Sequence, residues 1–253
     1  MSTKEELNDS ILSQTFPEED GSSNSFAKHL SIASNYAKVE NAIAVLTDYK
    51  ENVSYIYYGK MAKALGLDAT GKRHIIHTIW DDEVFHLVAP EDQERGHLEE
   101  LYFFHYMKKI PLEERSDYYM ESFVRMAREN GDYVPVRHRI FYIASQPNGS
   151  IRIALCLYTM ATDASTETHI HNTINGVSFP VRQHDYGEIL SEREKDVLRL
   201  IHKGKQSKEI ADTLSISIHT VNRHRQNILK KLRAANSFEA CKIANQMRIF
   251  NDL

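Results

Sequence analysis

Cysteine, tryptophan, proline and glycine are all scarce: the 253 residues hold two, one, six and ten of them. Cys156 and Cys241 lie in different regions, so no disulfide framework staples the chain, and a reducing cytoplasm is the expected compartment. So few glycines and prolines exclude a collagen-like or low-complexity chain. Long apolar runs are missing as well. The densest, residues 151–161, is interrupted by Arg152 and falls well short of the ~20 residues that span a bilayer. The opening Met-Ser-Thr-Lys-Glu-Glu lacks the apolar core of a secretory signal, so neither secretion nor a membrane is expected. A P-loop, a GxSxG elbow, an HExxH helix and clustered Cys–His sets are also absent. Thirteen histidines are present, but the pairs His169/His171 and His74/His77 lack the cysteine or carboxylate partners of a closed zinc site. No catalytic residue, metal or cofactor is expected, and the chain reads as a non-enzyme.

What is present is an ordinary globular composition, 42% hydrophobic and 26% charged. The length suffices for two domains, each with its own core. The net charge of −4 conceals a split: residues 190–253 carry 13 Lys+Arg against 7 Asp+Glu, and residues 1–189 carry 18 against 28. A small basic domain joined to a larger acidic one predicts that the tail meets a polyanion and the body does not.

Residues 1–25 are polar and acidic and read as a loose segment. Helix-spaced apolar residues begin at Ala27. Residues 43–49 and 53–58, rich in β-formers and separated by Lys50-Glu51-Asn52, read as a hairpin. Residues 60–67 form a short helix stopped at Gly66. Residues 72–132 read as mainly helical. Pro90-Glu91-Asp92 opens one helix to about Lys109, and Pro111-Leu112-Glu113-Glu114 opens another that ends at Asn130-Gly131. The strongest strand signal is the pair 133–145 and 150–160 around Asn148-Gly149, which predicts a two-residue type I′ turn. Paired positions then sum to 297. That register sets Ile140 opposite Leu157, Tyr142 opposite Leu155 and Ala144 opposite Ile153, on one apolar face turned toward the helices of 90–130. Asn175-Gly176 predicts a second such hairpin, with Ile170 opposite Val181. The polar stretch around Gly187 places a linker at 183–189.

From Leu190 the pattern changes to four short helices. Ser191-Glu192-Arg193-Glu194 is a capping box before Val197, Leu198, Leu200 and Ile201. Ser207 to Leu214 is a second helix, and Ser215-Ile216-Ser217 joins it to a third that runs to Leu232. That is helix-turn-helix spacing. At 100° per residue, Val221, Ile228 and Leu232 cluster on one side of the third helix, while His219, Arg223, Gln226 and Lys230 cluster on the other. Arginine and lysine read guanine edges, asparagine and glutamine pair with adenine, and flanking cations hold phosphates. Arg225 falls at the edge of the apolar stripe and is given no base. A fourth helix opens at Asn236-Ser237-Phe238-Glu239 and carries Ala240, Ile243, Ala244 and Met247 along one stripe.

These residues resemble the C-terminal domain of LuxR/GerE-type bacterial transcription regulators. The likeness rests on Leu190-Ser-Glu-Arg-Glu194, Val197-Leu198, Gly204, Ser207-Lys208-Glu209-Ile210-Ala211, Leu214, Ile216-Ser217, Thr220-Val221, His224, Asn227-Ile228 and Lys231-Leu232. It implies a four-helix bundle whose third helix enters the major groove of double-stranded DNA. It further implies that Asn222, Arg223 and Gln226 face bases and that Lys208, Thr220, His224 and Lys231 touch phosphates, with Asn227 and Lys230 joining the phosphate set. Two departures stand out: Asn222 replaces a residue that is most often basic in the family, and Arg233-Ala-Ala replaces its usual Gly-hydrophobic turn.

The order of elements over roughly 40–162, two strands, a run of helices and a long antiparallel pair, resembles a PAS sensor domain, with Val88-Ala89-Pro90-Glu91-Asp92 similar to that family's loop before a later helix. The resemblance implies that one sheet face takes a small-molecule ligand or a protein partner; Tyr142, Ile153, Leu155 and Leu157 are the candidate lining. The expected fold class is α+β: a loose segment 1–25, a PAS-like domain 26–182, a linker 183–189 and a helix-turn-helix domain 190–253. The expected function is a homodimeric transcription regulator whose PAS-like domain controls operator binding. The alternatives are a PAS-like domain that serves only for dimerisation or protein docking, or a small catalytic domain fused to a regulator tail.

Overall fold

Eight strands form one antiparallel sheet in the computed structural model, in the order β3-β2-β1-β6-β5-β4-β7-β8. The structure describes residues 3–17, 23–67, 69–161, 167–181, 190–232, 234 and 236–246. The chain separates into one unit, Thr3–Val181, which holds the sheet, and a second that includes Arg182–Leu253. No helix among the described residues is long and apolar enough to cross a membrane.

In the first unit, α1 (Thr3–Leu12) and α2 (Ser23–Val39) precede β1 (Ile43–Asp48) and β2 (Val53–Tyr58). The β1–β2 turn is fixed locally: the Asp48 carboxylate accepts from the Lys50 amide at 3.0 Å, and Asn52 takes the left-handed conformation. After α3 (Met61–Ala64) come β3 (Arg73–Ile76), α4 (Asp82–Phe85) and α5 (Pro90–Lys109). Pro90 sits in the first turn of α5, where its missing N–H costs nothing. A short 3₁₀ turn, Leu112–Asp117, leads into β4 (Tyr118–Ala127), β5 (Tyr133–Ser145), β6 (Ile151–Met160), β7 (His169–Asn172) and β8 (Ser178–Pro180).

Four sequence expectations need correction. Residues 3–12 are not loose: α1 buries Leu7 and Ile11 completely against Leu101, Phe103 and Met107 of α5. Asn8 also accepts a hydrogen bond from the Trp80 indole at 2.9 Å. Residues 111–130 are not a helix. In β4, Met120, Ser122, Val124 and Met126 are buried alternately with exposed or half-buried neighbours, the period of a strand. The Asn130-Gly131 pair read as a helix end is the β4–β5 turn, with Gly131 at φ 84° and Arg128 bonded to Asp132. The β7–β8 pair places Ile170 opposite Phe179 rather than Val181, because the connection runs from Asn172 to Val177 and the Asn172 carboxamide oxygen caps it.

The fourth correction concerns the central hairpin. Gln146 pairs with Ser150, so the loop is Pro147-Asn148-Gly149, three residues and not two. Proline fixes φ near −65°, which suits the first central position of a type I turn, and Gly149 at φ 85° supplies the left-handed residue that closes it. The ladder shifts by one residue: Ile140 faces Cys156 and Tyr142 faces Ala154, with an irregularity near Ala144 restoring Ile153 opposite it. A one-residue shift exchanges the faces of a strand. Ile140, Tyr142, Ala154 and Cys156 therefore look toward α5, whereas Ile153, Leu155 and Leu157 look the other way, onto Ala33 and Ala37 of α2.

The second unit is a bundle of α6 (Glu192–His202), α7 (Ser207–Leu214), α8 (Ile218–Leu232) and α9 (Ser237–Gln246), packed around Val197, Leu198, Ile210, Val221, Ile228, Ala240 and Ala244.

Candidate DNA interface

Each helix of the second unit starts where a side chain satisfies its free amides. Ser191 and Glu194 bond reciprocally at the head of α6. Glu209 accepts from the Gln206 amide at 2.9 Å at the head of α7, and with Lys205 beside it this holds its carboxyl below the usual range. Ser217 accepts from the Thr220 amide at 3.0 Å before α8, and Asn236 accepts from the Glu239 amide at 3.0 Å before α9. Between α7 and α8 the chain reverses at Ser215, in the left-handed conformation at φ 53° and ψ 45°.

This geometry sets the exposure of α8. Val221 and Ile228 are buried against the bundle. Asn222, Arg223 and Gln226 are exposed, within about a 100° arc of the helix. Thr220, His224 and Asn227 are half-buried beside them. The Thr220 hydroxyl lies 2.8 Å from that of Ser217, and His224 Nδ1 is buried without a hydrogen-bond partner. Lys208 is exposed in the first turn of α7. Lys230 and Lys231 continue α8, but their side chains lie outside the described residues, as do those of Leu232 and Ile243 and the whole of Met247. The arrangement presents amide and guanidinium donors on a rigid helix, the chemistry that reads base edges in a groove wide enough for a helix.

Sequence reasoning missed the part played by Arg225. Its guanidinium donates to Ser207 Oγ at 3.2 Å and to Ser237 Oγ at 2.9 Å, tying α8 to the first turns of both α7 and α9. Arg193 of α6 donates to the Leu214 carbonyl at the end of α7. Arg225 thus holds the exposed helix in place, while Arg193 ties α6 to the end of α7. The signal was the position of Arg225 at the border of the apolar stripe, where a long side chain reaches along the bundle.

The candidate ligand residues do not come together. Tyr142 lies in the layer between the sheet and α5, stacked on Phe103 with ring centroids 5.1 Å apart. Ile153, Leu155 and Leu157 lie on the opposite face, under α2.

Residues 188–244 match the family model described as bacterial regulatory proteins, luxR family. Over 60 residues the chain is 45% identical to the uncharacterized response regulatory protein YgeK of Escherichia coli K12, covering 24% of this chain and 41% of that protein. Over 55 residues it is 51% identical to the regulatory protein SdiA of the same organism, covering 21% and 23%. The chain thus spans less than half the length of these relatives. A solved Vibrio cholerae VqmA dimer aligns with 88% of this chain and 88% of its own at 16% identity, with a TM-score of 0.29.

Proposed function

From a C-terminal domain that belongs to the luxR family of bacterial regulatory proteins, we propose that this protein is a transcription regulator that docks α8 in the major groove of an operator. Asn222, Arg223 and Gln226 read bases. Lys208, Thr220, His224, Asn227, Lys230 and Lys231 hold phosphates. The observation that carries this reading is the exposed row Asn222-Arg223-Gln226 on a helix whose other side is sealed and whose middle is tied by Arg225 to the first turns of α7 and α9. The names of the matched relatives support regulation over enzymatic activity.

The N-terminal unit acts as a PAS-like sensor that controls operator binding, and the protein works as a homodimer in the cytoplasm. The two strands, intervening helices and long antiparallel strands support the sensor reading. Genome-wide mapping of bound DNA tests the proposal. Discrete sites that share an inverted repeat are expected; occupancy no different from a chain lacking residues 190–253 would overturn it.

A further inference from the structure

The layer between α5 and the sheet contains a group of polar side chains that the DNA-binding reading does not use. Gln93, Gly96, Glu100, Phe104 and Met107 lie along the centre of the α5 face turned inward, at helical spacing. Glycine is a poor residue for a helix interior, yet a Cβ at Gly96 would meet nothing within 4 Å. Glu100, one turn further on, keeps accessible surface although Phe103 and Phe104 beside it are buried. On the sheet opposite, Cys156 in the central strand β6 and His138 in β5 also keep accessible surface, although their strand neighbours Leu155, Leu157 and Ile140 are buried. Inward-facing residues at the middle of a packed layer retain surface only beside a void.

The polar groups along this layer are poorly partnered within the protein. Tyr142 is 1% exposed, and the group its hydroxyl faces is the hydroxyl of Tyr49. His138 Nε2 is buried without a hydrogen-bond partner. Native interiors leave few such atoms unsatisfied. Burial pushes Glu100 up to about 7, and burial together with Glu100 pushes Asp81 up to about 8. Burial drives His138 down to about 4. Lys4 of α1 is the cation that acts on Asp81, and it is already engaged by Asp82 at 2.8 Å. Asp82 also acts on Asp81, and the other groups facing the carboxyls are Tyr49, Tyr58, Tyr142, Tyr158 and Cys156 from the sheet, all held neutral by burial.

Lys4, the cation that acts on Asp81, is shared with Asp82, so a protonated amine would supply the charge that lets the two carboxyls ionise, whereas an anion would hold them protonated. Resting on the sensor reading above, we infer that the cavity between α5 and the sheet binds a small organic cation, a protonated amine whose nitrogen is met by Glu100 and Asp81 and whose apolar body lies against Gly96 and Cys156. Binding draws the two carboxyls into their ionised forms and releases protons, so affinity rises with pH from 6 to 8 while the amine stays protonated.

The test uses the full chain and three probes of similar size: phenethylammonium, 2-phenylethanol and 3-phenylpropionate, titrated by calorimetry at pH 6, 7 and 8. Phenethylammonium is expected to bind at least ten-fold tighter than the other two. Glu100→Gln, an isosteric change, is expected to cancel that preference, with an unchanged near-ultraviolet circular dichroism spectrum reporting the intact fold. Gly96→Leu, which fills the void, is expected to block all three probes. Equal or tighter binding of the alcohol or carboxylate, or an unchanged preference in Glu100→Gln, would overturn the cation assignment and leave the sensor reading standing. Failure of all three probes to bind would overturn both.

Discussion

Arg225 and Gln226 are neighbours in sequence with different work to do. Gln226 faces outward, whereas Arg225 bonds inward to Ser207 and Ser237. Arg225→Ala is therefore expected to destabilise the second unit by about 1–3 kcal/mol through the loss of two charge-assisted hydrogen bonds. It should weaken binding to all DNA sequences alike. Thermal unfolding and duplex titration check this; unchanged stability with altered preference at one base position would contradict it. The exposed row on α8 was legible in sequence because a helix period and two caps were enough to orient it. The bonds of Arg225 were not, since they depend on where α7 and α9 begin in space. Glu100 and Asp81 were equally hidden, as nothing local marks a carboxyl that will be enclosed by tyrosines.

At the level of elements, most of the strands and helices followed from periodicity and caps, and the exceptions have separate causes. In β4, the run Tyr-Tyr-Met-Glu-Ser-Phe-Val-Arg-Met-Ala mixes helix formers with β-formers, and pairing with β5 and β7 decides the outcome. Around Asn148-Gly149, Pro147 lengthens the loop by one residue and reverses which side chains meet α5. Leu155 thus faces α2 and is 2% exposed. Leu155→Ala is expected to cost about 2–5 kcal/mol and to loosen α2, seen as faster amide exchange in that helix. A cost below about 0.5 kcal/mol would place Leu155 on the surface.

The layer beneath α5 has its own pH signature. Glu100 and Asp81 have folded values of about 7 and 8, above those of unfolded carboxyls. The folded state thus holds protons that the unfolded state has released, and stability falls as pH rises through this range. His97 and His138, held neutral by burial and lowered to about 4, act in the opposite sense but only below about pH 6.5. Between pH 6.5 and 8 the first unit should therefore melt at progressively lower temperature, and Glu100→Gln should flatten the slope. A melting temperature that rises across this window in the unmodified chain would contradict the assignment.

For the whole molecule, the charge division already visible in composition fits the proposed division of roles, a basic unit for DNA and an acidic one for the signal. One recognition helix spans only a few base pairs, and two-fold pairing doubles the contact and matches an inverted repeat. Light scattering is expected to find two chains on each operator duplex; one chain on a single half-site at working concentration would contradict the dimer. If each subunit neutralises about four phosphates, log K should fall against log salt with a slope near −7.

The most direct test of base reading by α8 is selection of binding sites from random duplex DNA by the unmodified chain, Gln226→Ala and Lys208→Ala. The unmodified chain should enrich a two-fold symmetric motif. Gln226→Ala should relax one or two positions in each half-site, the loss of a contact worth about 1–3 kcal/mol against the wrong base. Lys208→Ala should keep the motif and weaken every sequence to a similar degree. An unchanged motif with Gln226→Ala, together with a changed one for Lys208→Ala, would show that α8 presents a different face to DNA.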